Sequence, residues 1–112
     1  MKPSSAKAKG RRLQNQVTQL ILERFSGVLE EDDVRGAIMG ESGEDIKLSP
    51  LARKHFPYST ECKNQERLNI WNSWKQAKEN TREGCTPLLV YTKNRHELMV
   101  TLTFDDFLKM IS

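Results

Sequence analysis

Tyr58-Ser59-Thr60-Glu61-Cys62-Lys63 is the stretch on which the fold turns. Its alternation predicts a β-strand with Tyr58, Thr60 and Cys62 on one face and Ser59, Glu61 and Lys63 on the other. Upstream, Asp45-Ile46-Lys47-Leu48 alternates in the same way and reads as a second strand. If the two are neighbours, with Ile46, Leu48, Thr60 and Cys62 turned to the core, then Asp45, Glu61 and Lys63 share the opposite face. Two carboxylates and an ammonium converge there. Hard oxygen ligands suit Mg²⁺, which takes one or two carboxylates plus waters and substrate phosphate, and the backbone carbonyl of Cys62 is a natural further ligand. A metal held in this way polarises a phosphodiester and lowers the pKa of bound water, while Lys63 orients that water or offsets charge on the phosphate. On spacing alone, the plainer reading of Glu61 and Lys63 is a cross-strand ion pair on a solvated face.

Working outward, Leu13, Val17, Leu20, Ile21 and Phe25 recur at one face of an amphipathic helix that opens at Lys9 and stops at Gly27. Residues 29–39 are ambiguous, with Val34, Ala37 and Ile38 compatible with a short strand and Gly40 and Gly43 marking a loop. Ser49-Pro50 is a helix start for a short turn ending before Pro57. Asn69 caps a helix whose stripe is Ile70, Trp71, Trp74, Ala77 and the stem of Lys78, ending near Gly84. Leu88-Leu89-Val90-Tyr91 reads as a strand buried on both faces, Lys93-Asn94-Arg95 as a turn, and Leu98, Val100 and Leu102 as the returning strand. Thr103 with Asp106 opens a last helix carrying Phe104, Phe107, Leu108 and Ile111. The order predicts an α/β fold, a mixed β-sheet flanked by helices.

The chain has 112 residues, enough for one small domain. We expect a flexible basic arm over residues 1–8 and a single domain over 9–112. No apolar stretch approaches the roughly 18 residues of a membrane span, and the basic start has no apolar segment behind it. Cys62 and Cys85 lack CxxC spacing, and His55 and His96 are isolated, so a zinc ribbon or disulfide framework is excluded. The expected location is the cytoplasm, or the host-cell cytoplasm if the chain is phage-encoded. The net charge of +3 hides an asymmetry: residues 1–12 carry Lys2, Lys7, Lys9, Arg11 and Arg12 without an acid. Such a block suits phosphate contact, with Lys9, Arg11 and Arg12 the candidates for the DNA backbone. Between Glu23 and Asp45 lie eight acids against Arg24 and Arg35. A basic block beside an acidic segment suggests a cation between protein and nucleic acid.

Lys9-Gly10 opening an amphipathic helix, then Ser42-Gly43-Glu44-Asp45-Ile46, then Thr60-Glu61-Cys62-Lys63 and a following helix resembles the PD-(D/E)xK nuclease superfamily, and within it archaeal Holliday-junction resolvases and small phage-encoded nucleases. The resemblance runs over roughly residues 9–103. It implies a restriction-endonuclease-like core, a Mg²⁺-dependent DNA endonuclease accepting Mn²⁺ as substitute, Asp45 and Glu61 as metal ligands and Lys63 as the catalytic lysine. A structure-specific activity on branched DNA is the finer expectation, and a non-catalytic DNA-binding module on the same fold is the alternative. Gln76 resembles the polar helix residue that many members place near the metal. Resolvases of this kind carry a glutamate four residues after the glycine of the KG pair, where this chain has Gln14; Glu23 is then the substitute ligand or a surface charge. The segment of residues 49–56, inserted between the two strands, brings Arg53 and Lys54 as DNA contacts or as a solvated basic turn. Ser42 steers phosphate from its glycine-flanked loop or only shapes the turn. Trp71 and Trp74 stack on bases or pack in the core. So short a chain also implies a homodimer or a separate specificity partner.

Overall fold

The computed structural model describes residues 3–112. Its elements run α1 (Pro3–Arg24), a 3₁₀ turn (Glu31–Asp33), β1 (Val34–Gly36), β2 (Ile46–Leu48), α2 (Pro50–His55), β3 (Tyr58–Asn64), α3 (Ile70–Glu79), β4 (Thr86–Thr92), β5 (Met99–Thr101) and α4 (Phe104–Ile111). β1 and β2 form an antiparallel pair, while β3, β4 and β5 form a mixed three-stranded sheet in that order. β3 runs parallel to β4 with Thr60 opposite Leu88 and Cys62 opposite Val90, and β5 returns antiparallel. The parallel pairing needs a crossover, which α3 supplies. At the seam between the two sheets the amide of Asp45 donates to the carbonyl of Thr60 at 2.9 Å.

The helix caps are where the sequence places them. Ser49 Oγ accepts from the amide of Ala52, Asn69 Oδ1 from Asn72 and Thr103 Oγ1 from Asp106. Gly27, at φ +86°, takes the left-handed turn that ends α1. The start of α1 differs from expectation, because the chain is already helical from Pro3, six residues before Lys9. Proline at a first helical position and the alanines that follow favour helix, and charge alone does not disrupt it. The segment read as an arm is therefore continuous with α1, apart from Met1 and Lys2, which lie outside the described residues.

One face of the sheet buries Leu13, Val17 and Ile21 of α1 against Val34, Ile46, Cys62, Leu88 and Val90. The other packs Leu89 and Tyr91 under Trp74 and Ala77 of α3. β3 is thus covered on both sides: Thr60 and Cys62 face α1, while Ser59 and Glu61, each under a tenth exposed, lie on the α3 side. The face expected to be solvated is closed by α3. That helix ends at Glu79, short of Gly84. Trp74 belongs to the core but Trp71 is 81% exposed, since two successive steps of three residues rotate it by about 120° from Ala77, off the stripe that the helix buries. α4 buries none of its residues, so Phe104, Phe107, Leu108 and Ile111 remain outside both core clusters.

A carboxylate pair at the junction of two sheets

Asp45 sits just before β2, at the seam. Its backbone amide is held by Thr60, and its Oδ2 accepts from the backbone amide of Cys62 at 2.7 Å. This second bond exists because β3 pairs with β4 on one edge only, leaving the Cys62 amide on the other edge to be satisfied by a side chain. On β3, Glu61 Oε1 accepts from Asn80 Nδ2 at 3.2 Å, and Glu61 Oε2 lies 3.6 Å from Lys63 Nζ. Lys63 is one-fifth exposed and Glu61 less than a tenth, so the pair is sheltered rather than lost in bulk water.

Electrostatics bring the three residues together. Burial raises the pKa of Asp45, opposed by the Cys62 hydrogen bond and the Lys63 and Lys47 charges. Burial also raises Glu61, and the Asp45 charge pushes it further in the same direction. A half-buried and a buried carboxylate that repel each other, with one adjacent ammonium, form a donor set short of positive charge. Among the described residues no third His, Cys, Asp or Glu completes a protein cage around them. That composition fits Mg²⁺, which needs only one or two carboxylates and keeps its waters, and does not fit zinc. The Cys62 thiol adds no ligand, because its side chain packs in the core on the α1 side of the sheet, opposite the Glu61 face.

The other sequence candidates divide. Gln14 borders the same depression as Asp45, together with Lys7 and Arg11, and packs against Gly36, where a Cβ would stand 2.9 Å from its Oε1. Glu23 is corrected: it lies nine residues along α1, about 13 Å from Gln14 at 1.5 Å per residue, beside Leu22, Glu30 and Glu31. It therefore cannot join Asp45 and Glu61 on a common ion. Lys9 is corrected as a surface phosphate contact. It is 5% exposed, its ammonium turned to Glu66 at 3.6 Å and its carbonyl bonded by Asn64 Nδ2. Arg11 and Arg12 are exposed as expected. Arg53 spends one guanidinium nitrogen on the carbonyl of Leu48 at 2.8 Å, while Lys54 is exposed. Ser42 is exposed and its carbonyl receives Lys47 Nζ, a turn role. Gln76 is exposed on α3; the side chain of that helix that reaches Glu61 is Asn80, one turn further on. Its signal was the position at i+4 from Gln76 with a side-chain amide, legible only once α3 is known to lie over β3. Compared with known proteins, the chain matches no family model, no curated protein and no solved structure at a significant level.

Proposed function

We propose that this chain is a Mg²⁺-dependent DNA endonuclease of the PD-(D/E)xK kind, hydrolysing phosphodiester bonds at the junction of β2 and β3. The observation that carries the reading is the convergence of Asp45, Glu61 and Lys63, with each carboxylate fixed by a hydrogen bond, from Cys62 N and Asn80 Nδ2 respectively. A long helix, an antiparallel pair, and a strand parallel to the one that follows the next helix give the α/β frame with a mixed sheet on which this reading is built.

Asp45, Glu61 and the carbonyl of Cys62 would hold the ion. When bound, it supplies polarisation of the phosphate and a water of lowered pKa. The chain's own residues supply the rest. The Cys62 amide fixes one oxygen of Asp45, and Asn80 fixes one oxygen of Glu61, so neither carboxylate has to be ordered when substrate arrives. Lys63 keeps a positive charge beside the pair, where negative charge develops on a phosphate under attack. Arg11, Arg12 and Lys7 extend positive charge along α1, able to position a backbone without reading its sequence.

The test is cleavage of linear, nicked, flap and four-way-junction DNA with different metals. Scission is expected in Mg²⁺ or Mn²⁺ and none in Ca²⁺ or chelator, since Ca²⁺ accepts looser geometry and activates water less. Full activity in chelator overturns the metal reading. DNA that is bound but never cut in any metal favours the alternative, a non-catalytic DNA-binding module.

A second copy of the chain is the partner this reading includes. Phe104, Phe107, Leu108 and Ile111 repeat at i, i+3, i+4 and i+7 on α4, and all are between 40% and 74% exposed. An apolar stripe of that width is a surface for burial. Phe107→Asp is expected to convert a dimer into a monomer in sedimentation analysis and to lower the melting temperature only by the concentration-dependent contribution of the dimer, because α4 packs into neither core cluster. A parent chain that is monomeric at about 100 μM leaves a separate specificity partner as the better reading.

A further inference from the structure

Beside Asp45, β1 runs into a short loop over residues 37–41 that carries Ile38 and Met39, 68% and 81% exposed. Single exposed aliphatics are ordinary, but these two are adjacent and stand on a braced loop. The amide of Ala37 donates to the carbonyl of Asp45 at 2.7 Å, which ties the loop to the carboxylate's own backbone. Arg35 grips Glu41 with both guanidinium nitrogens at 2.8 Å, and Glu41 Oε1 also accepts from the Ile38 amide at 3.0 Å. Gly40, at φ +85°, closes the turn in a conformation that a side chain would strain. The Arg35 hydrogen bonds hold the Glu41 carboxyl down at about 2, so the brace is present at and above the usual carboxylate range and is lost only as pH falls towards that value.

The loop forms one wall of the depression that ends at Asp45. The facing wall is α1, with Lys7, Arg11 and Gln14. A groove with cations on one side, bare aliphatics on the other and a carboxylate between them matches the two chemistries of a DNA strand: phosphates along α1 and a base face against Ile38 and Met39.

We propose that Ile38 and Met39 form a wedge that inserts at a base step of the DNA strand lying in this groove and unstacks it next to Asp45. Aliphatic side chains of this kind separate base steps in other DNA complexes, and a mismatched step, already weakly stacked, opens most easily. The wedge rests on the nuclease reading and adds to it the feature of substrate that the site engages: a step that opens, in place of a base sequence. Rigidity matters, since a loose loop would fold its aliphatics away rather than insert them; the Arg35–Glu41 fork supplies it.

The experiment uses the full chain in Ca²⁺, where binding is read without cutting, and a duplex carrying 2-aminopurine at a central step, either matched or mismatched. Binding is expected to raise 2-aminopurine fluorescence about twofold, and the mismatched duplex to bind about tenfold more tightly than the matched one. The double variant Ile38→Ser, Met39→Ser changes only exposed side chains and should keep the parental melting temperature, affinity for matched duplex and salt dependence. It should lose the fluorescence rise and the mismatch preference. If the double variant keeps both, the wedge is overturned while the nuclease reading stands. If the parent binds DNA without any change in fluorescence, the wedge again fails alone. If the parent binds neither duplex at any salt concentration, both readings fall together, and the cleavage assay shows it independently.

Discussion

Asp45→Asn is expected to abolish Mg²⁺-supported cleavage, lowering turnover by about 10³-fold or more, while the protein melts a few degrees higher than the parent. The substitution keeps the oxygen that accepts from Cys62 N, so the seam between β2 and β3 stays tied. What it removes is a negative charge that burial opposes and that repels Glu61. In the metal-free protein that charge is a cost, and its loss stabilises. On the proposed reading it is one of two carboxylates that would hold the ion, and losing several kcal/mol of charge stabilisation corresponds to the expected fall in rate. Steady-state cleavage measured with thermal denaturation in chelator tests both halves. An unchanged rate refutes the metal role of Asp45, and a lower melting temperature would show that the carboxylate is a structural tie first.

Lys63→Ala should lower turnover by about 10²-fold and leave folding nearly intact. Its ammonium meets Glu61 at 3.6 Å, beyond hydrogen-bond length, and a partly exposed contact of that kind contributes little to stability, about 0–1 kcal/mol. DNA binding in Ca²⁺ should persist, because Asp45, Glu61 and the basic face of α1 are untouched. The decisive comparison is between cleavage rate and the midpoint of urea unfolding. A variant that cuts at the parental rate, or that is inactive only because it is unfolded, makes Lys63 an ion-pair partner of Glu61 and removes the nuclease reading's main support.

Much of this fold was legible from short-range signals. Ser49, Asn69 and Thr103 cap their helices through bonds to an amide three residues on, and such bonds need nothing beyond the local chain. The alternation of residues 58–63 set which side chains share a face, and the apolar run Leu88-Leu89-Val90 announced a strand covered on both sides, as β4 is. Asp45, Glu61 and Lys63 were legible as candidates for the same reason: the two-residue period of a strand is a local property.

Long-range packing decided the remainder. That α3 covers the Glu61 face, so that Asn80 holds Glu61 and Gln76 looks outward, depends on how a crossover helix lies on its sheet, which no spacing along the chain encodes. Lys9 shows the same limit: its charge suggests a surface contact, yet the packing of α1 on β3 turns it inward to Glu66, 57 residues away. Glu23 lost its place because a helix is rigid and 1.5 Å per residue carries it away from Gln14. Local hydrogen bonding and side-chain periodicity are written residue by residue, so the sequence alone determined most of the elements, the three helix caps and the faces of β3, but neither the start of α1 nor the conformation of residues 29–39. Which charge is buried, which amide meets which carboxylate, and that Ile38 and Met39 stand beside Asp45 depend on contacts between segments far apart in the chain, and these exist only once the sheets and helices have packed.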